Sequence, residues 1–188
     1  MVYVDALAVM LLSLGLSSLL IALYFLGRGL NKKWVSELTV PAFALGFFNF
    51  ASGFLMSVTW PLPGAYNMLF GDPLLMLGIV MMAGAYMAWK NINLNILSIF
   101  GFFIGIYIAV GALAMVNFGL ESGVHFLPSF GLYVFAALSG IFSPLMYAKA
   151  KGAGKYGYLL LFVLLLITAF LAFLIGYTGL YGHLQSPP

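Results

Sequence analysis

The chain has 188 residues, 64% of them hydrophobic and 6% charged, so charged side chains are too few to cover a water-soluble surface. The formal charge of +3 arises from seven basic against four acidic residues, and the basic ones fall in short connections, which argues against a nucleic-acid partner. Zero cysteines exclude disulfides, thiolate-held metals and covalently attached haem, and no cofactor is called for.

A bilayer crossing needs roughly 20 mostly apolar residues for a hydrocarbon core of about 30 Å. Six such runs are present, at about 6–26, 40–59, 73–89, 96–118, 129–147 and 156–177. They predict an all-α polytopic membrane protein, six helices in one bundle forming a single domain over 1–188. No basic segment precedes the first run and no small-residue cleavage site follows it, so it is expected to be a retained span rather than a signal peptide.

In the first span, Asp5 is placed to cap the start, Gly27 and Gly29 to end it, and Ser13, Ser17 and Tyr24 share one helical face. A basic loop follows with Arg28, Lys32, Lys33 and the interfacial type Trp34. The second span has Pro41 in its first turn and a small, polar stripe of Gly46, Asn49, Gly53 and Ser57. Packing between helices explains the glycines. Asn49 differs, because an amide at membrane depth must find a partner or line a wet path.

The most distinctive text is WPLPGAYNMLFGDP, Trp60 to Pro73. Its prolines and glycines interrupt helix, whereas Trp60, Tyr66 and Phe70 are types that settle at a bilayer surface, so a structured capping loop is expected. Pro63-Gly64 suits the centre of a type II turn, and Asp72 before Pro73 suits a helix start. Asp72 is thus read first as a cap, and as a site residue only second.

A short Asn91–Asn95 turn leads into the fourth span, where Gly101 and Gly105 invite close helix approach. The second polar stretch, 121–128, contains Glu121 and His125. On a helix this spacing would bring carboxylate and imidazole together, and with Asp72 they could hold a divalent ion such as zinc. Two other readings stand beside it: solvated loop residues, or a pH-responsive His125. Pro144 should kink or end the fifth span, Lys149, Lys151 and Lys155 surround a turn at 152–154, and the tail beyond 177 is expected to fray.

With alternating loops, all seven basic residues fall on one side. The positive-inside rule makes that side cytoplasmic in a plasma membrane and puts both termini and both polar loops, 60–73 and 121–128, outside. No span carries a charged residue or histidine in its interior on these boundaries, which argues against an ion-coupled transporter.

The run TWPLPGAYNMLFGDP, within six spans of about this length, resembles a family of small archaeal and bacterial integral membrane proteins known only as a domain of unknown function. That resemblance implies a class and no chemistry. A likeness in size and layout alone extends to the acid-gated urea and amide channels, with no matching motif. Two functions are therefore weighed: a channel or transporter for small neutral solutes, lined by Asn49, Ser13, Ser17 and Tyr24 with Asp72, Glu121, His125, Trp60, Tyr66 and Asn67 at its outer face, and a non-catalytic accessory subunit. An enzyme ranks below both, because three convergent ligands and a base are not evident. Expected partners are the lipid bilayer and either further copies of the chain or other membrane subunits.

Overall fold

In a computed structural model, residues 6–147 and 153–185 are described; among them helices joined by short connections make up the fold, with no strand. The main helices are α1 (Ala6–Gly29), α2 (Thr39–Thr59), α3 (Asp72–Trp89), α4 (Asn95–Phe118), α5 (Phe126–Ile141) and α6 (Ala153–Gln185). With the short turns that prolong some of them, all six are long and apolar enough to cross a membrane. The expected Asp5 cap, the turn around Lys149, Lys151 and Gly152, and the final prolines lie outside the described residues.

Several boundaries differ from the sequence expectation. Lys33–Leu38 is a tight helical turn running straight into α2, so much of the basic loop is ordered helix. The fifth helix ends at Ile141, because Pro144 cannot continue it and a short tight turn, Ser143–Tyr147, takes over. The last helix reaches Gln185, well past residue 177. Left-handed residues end helices where expected on steric grounds at Gly119 and Asn91, but also at Trp60, which closes α2 just before Pro61.

Each helix packs on its neighbours in sequence, and α6 returns to α1, closing a ring. The most extensive pairings are α1 with α6 and α2 with α3; the α3–α4 seam is the loosest between neighbours. Helices apolar enough to cross a membrane gain little from the hydrophobic effect there, so close van der Waals packing is what can hold such helices together, and small residues permit it. On α2, a Cβ at Gly53 would lie 2.5 Å from the Leu75 backbone nitrogen. On α4, one at Gly105 would meet the Ile141 nitrogen at 2.6 Å, so the Gly101/Gly105 pair does seat a helix, namely α5.

Candidate functional site: a central cavity with an aromatic floor

The ring encloses a cavity of about 950 Å³. Arg28, Lys32 and Lys33 line one end, together with the Asn91–Asn95 turn, whereas Leu69, Phe70 and Tyr133 form the other. On α3 the wall runs from Pro73 to Ala88, which at ~1.5 Å per residue gives a depth of roughly 22 Å. Leu77, Val80, Ile104 and Ile108 make its middle apolar. No acidic residue lines it among the described residues.

The floor exists because of a proline. Pro73 has no N–H to offer the Leu69 carbonyl four residues back and its ring crowds that position, so the chain takes one widened π turn, Asn67–Gly71, before α3. The freed Leu69 carbonyl accepts the buried Tyr133 hydroxyl instead. Phe70, carried on the π turn, stacks on Tyr66 at 6.3 Å and meets Tyr133 edge-on at 6.3 Å. A second void of only about 10 Å³ is lined by Leu7, Met10 and Leu11 and shares Leu14, Phe70 and Leu74 with the cavity wall. Phe70, with Leu14 and Leu74, thus stands between the cavity and this void.

The same turn relocates Asp72. Residues 66–71 are already helical, Gly71 before it has helical dihedrals, and Asp72 makes no capping bond, so the cap reading is corrected. Its carboxylate joins three helices: Ser57 Oγ of α2 donates to Oδ1 at 2.5 Å, and the Tyr107 hydroxyl of α4 donates to Oδ2 at 2.8 Å. Asp72 therefore lies inside the Asn67–Trp89 segment, which is apolar enough to cross a membrane, and not ahead of it as expected. Tyr107 is the polar link across the loose α3–α4 seam.

A scan against family models matches residues 1–186 to a family described as a protein of unknown function, DUF981. The chain belongs to that family. No curated protein and no solved structure matches it. DUF981 membership assigns no activity, so the remaining residues must be judged by geometry.

Asn49, Ser13 and Ser17, expected to line a pore, instead hydrogen-bond to one another, and the Asn49 amide nitrogen also reaches Met81 Sδ at 3.8 Å. Ser13 Oγ donates to Asn49 Oδ1 at 2.6 Å, and Asn49 Nδ2 donates to Ser17 Oγ at 2.7 Å. All three are buried between α1 and α2, away from the cavity wall. A buried amide is costly unless paired, and helix pairing satisfied it before any pore could. Tyr24 does line the cavity.

At the opposite end from the basic mouth, Asn67 is fully buried and folds the proline loop: its amide accepts from Leu62 N at 2.9 Å and donates to Leu62 O at 2.5 Å. Tyr66 donates to the Leu120 carbonyl at 2.6 Å, tying the two polar loops together, and Trp60 is exposed. Glu121 and His125 are not on one helix, because Ser122 is extended and only Gly123–His125 forms a tight turn. Partial burial pushes the Glu121 carboxyl above its usual range, and His125 offsets part of that shift. Asp72 is engaged elsewhere, and no group of three His, Cys, Asp or Glu able to hold a metal occurs among the described residues.

Sequence reasoning missed Phe70 as a partition, Tyr133 and Tyr107. The Pro73 signal was visible; which distant tyrosines would answer the freed carbonyl and the carboxylate was not.

Proposed function

We propose that this chain is a multi-pass membrane protein, its basic loops cytoplasmic and its proline loop outside, that conducts or carries a solute through the ring under control of Phe70. The observation that supports this reading is the large cavity reaching from the basic mouth to an aromatic floor at Phe70. A pathway through a bundle needs a continuous lining and a constriction, and an aromatic plug on a π turn supplies the constriction.

The chain has no cysteine, so access can be followed one position at a time. Ile108→Cys on the deep wall should react with a membrane-impermeant thiol reagent from the basic side only, and from both sides once Phe70→Ala is added. Reaction from neither side, or no gain with Phe70→Ala, removes the gated pathway.

An accessory-subunit role is the second reading, favoured by α2 and α4, whose outer faces expose Phe43, Phe47 and Phe54 on one and Phe100 and Phe103 on the other. Co-purification of other membrane proteins at fixed stoichiometry would support it; a stable assembly of this chain alone would favour the pathway.

A further inference from the structure

The cavity has an uneven chemistry that bears on its cargo. Much of the hydroxyl content of its wall is already used by the backbone. Ser139 donates to the Ala136 carbonyl at 2.7 Å, Thr168 to Leu164 at 2.9 Å, Ser143 to Ser98 at 2.9 Å, and Ser98 to Asn95 at 2.8 Å. A polar solute entering the middle would give up water and find few free partners, at a cost that an apolar chain escapes. At the mouth the situation reverses, because Arg28, Lys32 and Lys33 line it and no acidic residue lines the cavity among the described residues. One leaflet's hydrocarbon is about 15 Å deep, half a bilayer core. The roughly 22 Å wall on α3 therefore accommodates an acyl or prenyl chain lengthwise.

We infer that the cavity binds a single-headed amphiphile, its apolar chain between α3, α4 and α5 and its carboxylate or phosphate headgroup on Arg28, Lys32 and Lys33. This rests on the reading above that the cavity is where cargo sits, and names the class of that cargo. The alternative explanation for the basic residues is the general cytoplasmic excess of positive charge. Lys90 separates the two: it lies at the same end, outside the cavity wall, with its Nζ 4.4 Å from the centre of the Trp89 ring. A diffuse surface effect would use Lys90 as readily as the other three, whereas a headgroup site would not.

The test uses the full chain in a non-ionic detergent with dansyl-labelled undecanoic acid as probe, read by fluorescence enhancement. The acid should bind, its uncharged methyl ester should bind about tenfold or more weakly, and Arg28→Gln/Lys32→Gln/Lys33→Gln should weaken the acid to the level of the ester, given the strength of paired headgroup charges. Lys90→Gln should leave binding unchanged, and Ile104→Trp, which fills the cavity from α4, should abolish it. Displacement by palmitate alone identifies a free carboxylate amphiphile, and displacement by lysophosphatidic acid a phosphate headgroup on a single chain; both support the site. Equal binding of acid and ester, equal loss with Lys90→Gln, or equal displacement by phosphatidylcholine overturns it. If any of these triple-substitution results is clouded by poor folding, palmitate protection of Ile108→Cys from the thiol reagent in the otherwise unchanged chain decides: no protection overturns the inference. Absence of probe binding with two-sided access in Phe70→Ala leaves the gated pathway standing without this cargo. Probe binding without such access does the reverse.

Discussion

Asp72 offers the sharpest test of how the ring is held. If it were a helix cap, Asp72→Ala would cost about 1 kcal/mol and Asp72→Asn almost nothing. In the structure both carboxylate oxygens are acceptors, one for Ser57 and one for Tyr107. A hydrogen bond to a charged group contributes about 1.5–3 kcal/mol in soluble proteins, whereas polar pairs in membrane bundles average about 0.6 and reach about 1.7. Taking the upper membrane value for each bond, Asp72→Ala should cost about 3 kcal/mol. Asp72→Asn retains an oxygen for Tyr107 and can donate to Ser57, so about 1 kcal/mol is expected from the lost charge. Tyr107→Phe, which removes a single donor, should cost about 1.5 kcal/mol. The decisive quantity is the Asp72/Tyr107 coupling from a double-mutant cycle, measured by reversible unfolding in mixed detergent micelles. We expect about 1 kcal/mol or more; additivity within about 0.3 kcal/mol would refute the three-helix carboxylate.

Other predictions concern the remaining parts of the ring. Asn49→Ala should destabilise by about 2 kcal/mol in the same assay, by stranding the Ser13 and Ser17 hydroxyls, while leaving Ile108→Cys access per folded molecule unchanged. Altered access at normal stability would return Asn49 to the pore. Gly53→Leu should cost about 3 kcal/mol or prevent folding, since its side chain would run into the α3 backbone, and a near-neutral thermal melt would contradict the α2–α3 contact. Single cysteines at Ala65 and Ser122 should label from outside intact cells, and those at Asn31 and Gly152 only after permeabilisation; the opposite pattern inverts the topology. Glu121 has a raised folded-state pKa, so its contribution favours the fold below the ordinary glutamate range and is lost as pH rises through the raised value. Glu121→Gln should therefore flatten that pH dependence of the melting temperature, and an unchanged slope would assign it elsewhere.

Composition by itself determined that six apolar runs must become helices, because a lipid-immersed backbone can satisfy its N–H and C=O groups only internally. The glycine spacings at 46/53 and 101/105 also announced close packing, since no larger residue allows backbones to touch. Local text could not say where Asp72 would sit: its Asp-Pro pair reads as a helix start, and only the π turn forced by the Leu69–Pro73 conflict carries the helix through it. Nor could it separate an Asn49 that lines water from one that is matched by serines on α1, as that depends on which helix face meets which neighbour. The cavity, its Phe70 floor and its basic mouth exist only once α6 closes on α1, because a ring's interior is built from residues far apart in the chain whose spacing along any one helix looks like ordinary core.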